Sequence, residues 1–270
     1  MPFFKKPKVI LALGGGSARG LANIGVLKVL ERHFGKNLPF DMVVGSSIGS
    51  LIGAAYCAGY SAEELEKKAA KLRWPSLVDF GLYTTGLIKG DRLEKIIVDI
   101  VGEKSFEDLV IPFALTTTDI ETGEELTHTS GNLVKLIRAS CSWPGIFTSV
   151  KIGGRLLSDG GVRNSIPTKA ACELGATFIV AVNPGFAVKS HIIDNPLKAI
   201  VQSVQIMGEE LNAYQSRSAD VVIKPELRNI DQFDFDKADI IIRQGEVAAE
   251  KKMPLLKRKL SLRRFWRRGH

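Results

Sequence analysis

Short apolar stretches alternate with segments of helical periodicity along most of the chain, and this alternation limits the possible folds more than any single motif does. Near-continuous apolar strands between helices are typical of parallel sheets that helices cover on both faces. The sequence therefore predicts an α/β fold with a mostly parallel central sheet. The apolar stretches that we expect to form strands are VILAL (9–13), FDMVV (40–44), PFALTTTDI (112–120), TFIVAV (177–182) and DVVIK (220–224).

Helix starts and turns can be placed between these strands. Ser61–Glu64 has the spacing of a capping box, in which a serine and a glutamate satisfy free N–H groups at a helix start, and Asp91–Glu94 has the same spacing. Glu121–Glu124 is typical of a hairpin turn, and Arg155–Ser158 of a short strand. We expect helices to begin near Leu21, at Ile48, after Ser61, at Asp91 and at Leu133, and further helices over 167–174, 195–214 and 236–252.

The positive charge of the chain is concentrated at its carboxyl end. The formal net charge is +8, but residues 251–270 contain nine Lys and Arg and no acidic residue. The other 28 of the 37 basic residues are balanced by 29 acidic residues. Length and composition suit one large domain. We therefore divide the chain into a folded domain, 1–250, and a basic tail, 251–270.

Cysteine content and the amino-terminal segment predict a cytoplasmic protein. Cys57, Cys141 and Cys172 show no C-x-x-C spacing and lie in apolar helical contexts, which favours reduced core residues over disulfides or a metal site. The segment MPFFKKPKVILALGGG lacks the pattern of a signal peptide. No apolar run reaches the roughly 18 residues of a membrane span. We expect neither a metal nor a cofactor.

A serine lies between two glycines where the second predicted strand meets a helix. In VVGSSIG, Gly45, Ser47 and Gly49 form a G-x-S-x-G motif. Such a motif at a strand-to-helix turn is typical of a nucleophile elbow, which exposes the serine hydroxyl on a sharp bend. A turn in which Ser46 or Ser47 caps the helix fits the same residues. The motif by itself leaves both interpretations open.

The first turn, LGGGSARG, is rich in glycine but has the wrong spacing for a nucleotide site. A dinucleotide fingerprint starting at Gly14 meets Arg19 at its last glycine, and one starting at Gly15 meets Ser17 at its middle glycine. A phosphate loop fails because Leu21, not Lys, follows Gly20. The loop instead offers backbone N–H groups at the positive end of a helix, which suit a developing oxyanion.

Four sequence blocks, taken in order, resemble those of the patatin-like phospholipases, in particular the bacterial branch that includes neuropathy-target-esterase-like domains. The blocks are Gly14–Gly20, Gly45–Gly49, Ala139–Pro144 and Asp159–Gly161, and the resemblance covers roughly residues 8–225. It implies a three-layer α/β/α fold and hydrolysis of lipid or lysolipid acyl esters by a Ser–Asp dyad. Many relatives have Gly at the position of Ser17 and His at that of Asn23.

The resemblance also implies the roles of individual residues. Ser47 is then the nucleophile and Asp159 its base, although the residues alone favour a turn role for Asp159 in the Asp-Gly-Gly loop. Backbone N–H groups around Gly15 and Gly16 hold the oxyanion, and Arg19 fixes the loop rather than touching substrate. The full set is Ser47 and Asp159 for catalysis, Gly14, Gly15, Gly16, Ser17 and Arg19 for the oxyanion loop, Gly45 and Gly49 for the elbow, and Gly160 and Gly161 for the base loop.

Two other functions fit the sequence. His191 follows Asp159 in the chain order of a Ser–Asp–His hydrolase, whereas His33, His128 and His270 lack a catalytic context. A catalytically silent lipid-binding or scaffold protein could keep the same fold, although intact Ser47 and Asp159 argue against it.

Two apolar segments outside the motifs suggest contact with lipid. Residues 74–89 fit either a lid or acyl-chain wall, or a loop packed on the core. The basic tail fits a solvated end, a nucleic-acid patch or an anchor to an anionic membrane, and its Leu, Phe and Trp residues favour the membrane. We expect lipid esters as substrates, peripheral attachment at the inner membrane face and no nucleic-acid partner.

Overall fold

A computed structural model describes residues 8–35, 38–79, 81, 85–186, 188 and 193–268, without the side chains of residues 197 and 263–268. Short 3-10 helices lie at Ser17–Leu21, Ser216–Ser218 and Phe235–Lys237. The α-helices are α1 Ala22–Phe34, α2 Ile48–Cys57, α3 Ala62–Ala69, α4 Trp74–Leu77, α5 Asp91–Val101, α6 Leu133–Ser140, α7 Gly161–Asn164, α8 Thr168–Glu173, α9 Pro196–Gln215 and α10 Ala238–Arg268. The strands are β1 Val9–Leu13, β2 Met42–Ser46, β3 Gly86–Ile88, β4 Phe113–Asp119, β5 Glu125–His128, β6 Gly145–Phe147, β7 Val150–Ile152, β8 Arg155–Asp159, β9 Phe178–Val182 and β10 Val221–Ile223.

The central sheet has the strand order β10-β9-β1-β2-β4-β8-β7, and β5 also pairs with β4. Strands β10, β9, β1, β2 and β4 run parallel, whereas β5, β7 and β8 add antiparallel pairs at one side. A separate pair, β3 and β6, is parallel. The prediction of a layered α/β fold with a mostly parallel sheet is confirmed.

Burial on both faces explains why the central strands are apolar throughout. In β1, Leu11 and Leu13 face the larger core, which includes residues of α1, α2 and α10, whereas Ile10 and Ala12 face a second core that includes α8. A strand with side chains on alternating faces can be wholly apolar only when both faces are covered. The register Leu13↔Gly45 sets the ends of β1 and β2 side by side. The glycine loop and the serine turn are therefore neighbours.

Helix α10 runs alongside α1 and continues past the predicted tail boundary. Lys28 forms an ion pair with Glu246, and farther along both helices Arg32 forms one with Glu250. Beyond residue 250, α10 buries Met253, Leu256 and Leu260. Residue 250 thus lies inside a continuous helix. Among the described residues, no helix is both long enough and apolar enough to cross a membrane.

The start of α5 differs from the prediction. The capping box at Ser61 and Glu64 is confirmed, but the one predicted at Asp91 is wrong, because Gly90 is the residue that precedes α5 and makes no side-chain cap. The carboxylate of Asp79 accepts hydrogen bonds from the N–H groups of Gly90 at 2.7 Å and Asp91 at 2.8 Å instead. An acidic side chain from a preceding loop therefore satisfies the free N–H groups of this helix.

The cysteines match the prediction only in part. All three are free thiols, and Cys57 is buried in the core as expected. Cys141 is half-buried and Cys172 is exposed, so the prediction of a core position is wrong for Cys172. Cys172 lies near the end of α8, whose other face packs on the sheet.

Candidate active site

Ser47 occupies a strained turn between β2 and α2. Its φ and ψ angles are 54° and −132°, a combination that side chains rarely adopt. Gly45 and Gly49 flank this turn, and other backbone atoms lie so close to both that neither position has room for a side chain. A Cβ at Gly45 would lie 2.5 Å from the carbonyl oxygen of Gly49, and one at Gly49 would lie 2.7 Å from that of Gly14. The turn thus has the geometry of a nucleophile elbow.

Hydrogen bonds from α6 hold the strained turn. The backbone N–H of Ser47 donates to Oγ of Ser140 at 2.9 Å, and that hydroxyl donates to the carbonyl oxygen of Thr116 at 2.8 Å. The hydroxyl of Ser50 donates to the carbonyl oxygen of Ser47 at 2.6 Å. Both backbone polar groups of Ser47 are therefore satisfied by serine hydroxyls.

Asp159 ends β8 beside Ser47. Its Oδ2 accepts a hydrogen bond from Ser47 Oγ at 2.7 Å, and its Oδ1 accepts one from the N–H of Gly161, also at 2.7 Å. The N–H of Asp159 donates to the carbonyl oxygen of Ser142 at 3.0 Å. At Gly160, a Cβ would lie 2.5 Å from the carbonyl oxygen of Thr116. The base loop packs so closely on β4 that it admits no side chain there.

Burial sets the protonation behaviour of Asp159. Removal of the carboxylate from water disfavours its charged form and raises its pKa to about 6. The hydrogen bonds from Ser47 and Gly161 act in the opposite direction, because they stabilise the charge. A carboxylate with this pKa is ionised at neutral pH and yet is more basic than an exposed aspartate.

The glycine loop lies against Ser47, but two of its N–H groups already donate to carbonyl oxygens outside the loop. The N–H of Gly14 donates to the carbonyl oxygen of Val182 at 3.1 Å, and that of Gly15 to the carbonyl oxygen of Ser165 at 2.8 Å. The N–H groups of Gly14 and Gly15 thus already have backbone acceptors.

The next two residues of the loop differ from Gly14 and Gly15. Within the described part of the chain, no acceptor lies against the N–H groups of Gly16 and Ser17. Both residues line the cavity above Ser47. Ser17 has a φ of 51°, which glycine adopts without strain, so the serine at this position strains the backbone.

Two buried side chains fix the glycine loop. Arg19 donates to the carbonyl oxygen of Gly185 and to Oε1 of Gln205 on α9, each at 3.2 Å, and burial lowers its pKa. Asn23 donates through Nδ2 to the carbonyl oxygens of Gly14 at 3.0 Å and Gly20 at 2.8 Å. An amide at position 23 thus ties the two ends of the loop together.

An apolar cavity of about 680 Å³ opens above Ser47 and Asp159. One wall is a group of aromatic rings in which Trp74 lies 4.5 Å from Phe233 and 6.3 Å from Phe235, measured between ring centroids. The buried side chains of Leu77 and Leu93 extend this wall, and α9 forms part of another. The cavity offers apolar surface to a long hydrocarbon chain.

The segment 74–89 contributes to the cavity through its first residues. Trp74 and Leu77 line the cavity, and Ile88 pairs with Phe147 between β3 and β6. The cavity-wall interpretation therefore fits the start of this segment. The predicted contributions of Phe80, Leu82 and Tyr83 lie outside the described residues.

The sequence comparisons establish the family. The family model described as Patatin-like phospholipase matches residues 11–172. The chain belongs to the patatin-like phospholipase family. Neuropathy target esterase sws of Drosophila melanogaster is 37% identical over 183 residues, which are 65% of this chain and 13% of that protein. Lysophospholipase NTE1 of Scheffersomyces stipitis is 35% identical over 184 residues, 66% of this chain and 12% of that protein.

A solved structure shares the fold. The crystal structure of VipD from Legionella pneumophila has a TM-score of 0.62 and 12% identity, and the match covers 91% of this chain and 66% of that one. The predicted resemblance to patatin-like and neuropathy-target-esterase-like domains is thus confirmed. The matched segment spans only about an eighth of the length of the two enzymes compared above.

The histidines that the structure describes do not contact the Ser–Asp pair. His128 bonds to Thr117 Oγ1 at 2.7 Å, and burial lowers its pKa to about 4. His33 bonds to Glu250 at 2.9 Å near the far end of α1. His191 and His270 lie outside the described residues. Within the described part of the chain, no group of three or more His, Cys, Asp or Glu could hold a metal ion.

Sequence analysis missed the roles of Ser140 and Ser142. Both belong to the block Ala139–Pro144, which the sequence marks without indicating a role. Ser140 supports the turn at Ser47, and the carbonyl oxygen of Ser142 accepts from the N–H of Asp159, so this one segment positions both Ser47 and Asp159. Their partners lie up to 93 residues away in the chain, and no local pattern reveals them.

Proposed function

We propose that the protein hydrolyses fatty acyl esters of lipids, as a phospholipase A or lysophospholipase, with Ser47 as nucleophile and Asp159 as general base. The observation that carries the proposal is the 2.7 Å hydrogen bond from Ser47 Oγ to Asp159 Oδ2 on the floor of an apolar cavity. A nucleophilic hydroxyl needs a base within hydrogen-bond reach, and Asp159 meets this condition.

Acylation begins when Ser47 Oγ attacks the ester carbonyl carbon and gives its proton to Asp159. The carbonyl oxygen becomes an oxyanion, to which the N–H groups of Gly16 and Ser17 donate. Collapse of this intermediate breaks the bond to the alcohol, and Asp159 returns the proton to the departing oxygen. The fatty acyl group is then joined to Ser47 as an ester.

Deacylation repeats the sequence with water. Asp159 removes a proton from the water as it attacks the acyl carbon, and the same N–H groups stabilise the second oxyanion. Ser47 leaves as the alkoxide and takes its proton from Asp159, which releases the fatty acid. Asp159 suits both steps because its pKa of about 6 leaves it ionised at neutral pH but basic enough to accept a proton.

The apolar cavity and the relatives favour a lipid substrate. The aromatic wall around Trp74 and Phe233 offers hydrocarbon contacts rather than polar ones. Two relatives are named an esterase and a lysophospholipase, and the chain shares more than a third of its aligned residues with each. We extend that activity to this chain.

The test is a lipid panel with matched variants. Purified protein is incubated with vesicles or micelles of phosphatidylcholine, lysophosphatidylcholine and triacylglycerol, and released fatty acid is measured. We expect release from at least one phospholipid or lysophospholipid, no release with Ser47→Ala, and release by Ser261→Ala, whose exposed hydroxyl bonds to the carbonyl oxygen of Arg258 within α10. Fatty acid release by Ser47→Ala at the wild-type rate would contradict the proposal.

The carboxyl end of α10 is proposed as an anchor to anionic lipid, which would keep a cytoplasmic enzyme at the inner membrane face. Residues 251–270 carry nine basic residues and no acid, and each Lys or Arg near anionic lipid contributes about 1 kcal/mol. Truncation is a poor test, because Leu256 and Leu260 are part of the core. The combined substitutions Arg263→Gln, Arg264→Gln, Arg267→Gln and Arg268→Gln should instead weaken binding to phosphatidylglycerol vesicles, and added salt should weaken wild-type binding. Equal binding by the variant would contradict the anchor.

A further inference from the structure

Apolar side chains of α9 lie exposed at the mouth of the cavity. Ile200 and Met207 line the cavity, yet 61% and 63% of their surface remains accessible to water. Ile206, next to Met207, is more than half exposed as well. Burial of large apolar side chains away from water lowers the free energy, so three exposed ones within about two turns of one helix indicate a surface that another apolar phase covers.

Two further exposed apolar residues line the cavity. Ile120 follows β4 and Val162 lies in α7, and both line the cavity and are exposed. Together with the α9 residues they form an exposed apolar set that we call the mouth rim, defined as Ile120, Val162, Ile200, Ile206 and Met207. Four of the five, all but Ile206, line the cavity that reaches down to Ser47.

The mouth rim lacks the charge of the carboxyl-terminal segment. Helix α9 contains one basic residue, Lys198, which forms an ion pair with Asp194 at 2.8 Å, and two acidic residues, Glu209 and Glu210. Attraction to an anionic headgroup therefore does not arise from this helix. Contact with the rim depends on apolar burial, which salt does not screen.

The basic end of α10 lies at the other end of the sheet. Lys257 of α10 lies 2.9 Å from His33, near the end of α1, and Lys259 donates to the carbonyl oxygen of Asp220 at 2.8 Å. Strands β2, β1, β9 and β10 are parallel neighbours, so their amino ends lie at one edge of the sheet and their carboxyl ends at the other. Asp220 immediately precedes β10, at the amino edge, whereas Ser47 follows β2, at the carboxyl edge. Contact of this part of α10 with a membrane would not bring the mouth to the same surface.

We propose that the mouth rim is a lipid-binding surface separate from the end of α10, and that it binds net-neutral, zwitterionic lipid surfaces such as phosphatidylcholine without help from basic residues. This inference rests on the proposed function for the identity of the occupant. A rim seated among acyl chains gives a lipid a path from the bilayer into the cavity that avoids exposure of its hydrocarbon to water.

The experiment measures vesicle binding without turnover. In the Ser47→Ala background, flotation with phosphatidylcholine vesicles is compared for the parent, for the double variant Ile200→Ser with Met207→Ser, and for Val110→Ser. Val110 is the matched control, because it is 73% exposed and precedes β4 at the end of the sheet opposite Ser47. Substitutions at exposed positions leave folding nearly unchanged, which thermal unfolding verifies.

We expect the double variant to bind at least tenfold more weakly than the parent, the Val110 variant to bind as the parent does, and parental binding to persist in 1 M NaCl. Undiminished binding by the double variant, loss of parental binding in salt, or no parental binding at all would overturn the inference. A separate assay tests the proposed function: if that function is wrong, the wild-type protein does not hydrolyse a soluble aryl ester. Such a protein could still float with the vesicles through its rim.

Discussion

Ser47 Oγ lies 2.7 Å from Asp159 Oδ2, although 112 residues of chain separate the two. One residue follows a parallel strand of the central sheet and the other ends an antiparallel strand, β8. Strand β4 lies between them in the sheet, and the segment Ala139–Pro144 bonds to both. The proposed chemistry depends on this contact.

Activity should fall in acid because protonated Asp159 cannot accept the serine proton. With a pKa of about 6, the ionised fraction falls tenfold for each pH unit below that value. We expect kcat/KM for a soluble aryl ester to be nearly constant from pH 7 to 8 and to decrease with unit slope below pH 6. A profile that stays flat down to pH 4.5 would show that a different group is the base.

Asp159→Asn should reduce activity and stabilise the fold at neutral pH. The asparagine amide can accept from the N–H of Gly161 and donate to Ser47 Oγ but cannot take a proton, so we expect about 10²–10⁴-fold slower hydrolysis. The pKa is about 6 in the folded protein, against ~3.9 unfolded, so the carboxyl contributes stability below pH 3.9 that is lost as the pH rises through 6.

The raised pKa of Asp159 also predicts how the stability of Asp159→Asn, relative to wild type, depends on pH. Above pH 6 the buried charge costs up to about 3 kcal/mol, so the free energy of unfolding of Asp159→Asn should exceed that of wild type by about 1–3 kcal/mol at pH 7.5. Urea titrations at pH 7.5 and pH 4.5 test this, and the gain should shrink at the lower pH. A variant that is less stable than wild type at pH 7.5 would contradict the burial account.

Ser140→Ala should disturb the nucleophile turn. It removes the acceptor of the Ser47 N–H and leaves that buried group unpaired, at a cost of about 1–3 kcal/mol. We expect kcat for a soluble ester to fall by more than tenfold, because the strained turn relaxes. Ser61→Ala is the control, since it removes the hydroxyl that caps α3 and should cost about 1 kcal/mol of stability with little change in kcat. Equal kcat values for the two variants would contradict a role of Ser140 in positioning Ser47.

Asn23→Ala should loosen the glycine loop. The variant loses the amide donor to the carbonyl oxygens of Gly14 and Gly20, and we expect a loss of about 1–3 kcal/mol of stability together with a lower kcat. Asn132→Ala removes the cap of α6, which lies away from the loop, and should cost about 1 kcal/mol with little change in kcat. Wild-type kcat in Asn23→Ala would contradict the role of this side chain.

The architecture was predictable because burial on both faces leaves a strong local signal. The stretch at 9–13 forms β1 with the predicted bounds, and α2 begins at Ile48 as expected. The observed bounds of a strand differ from the predicted ones where the strand continues through residues that are not apolar. The second strand was predicted over 40–44 but runs from Met42 to Ser46, since Gly45 and Ser46 pair with β4 before the chain turns.

The site was predictable only where its chemistry lies in contiguous motifs. The pair of Ser47 and Asp159 follows from two such motifs and the family resemblance. The use of the Gly15 N–H could not be foreseen, because its acceptor, the carbonyl oxygen of Ser165, is 150 residues away and carries no side-chain signal. The same holds for Asp79, whose position at the start of α5 depends on the path of the intervening loop.

The most direct test of the account is covalent labelling of the nucleophile. A fluorophosphonate probe reacts with an activated serine, and mass spectrometry of the digested protein locates the adduct. The account predicts one adduct, on Ser47, that forms in wild type, is absent in Ser47→Ala and forms at least a hundredfold more slowly in Asp159→Asn. An adduct on a different serine, or wild-type labelling of Ser47 in Asp159→Asn, would contradict it.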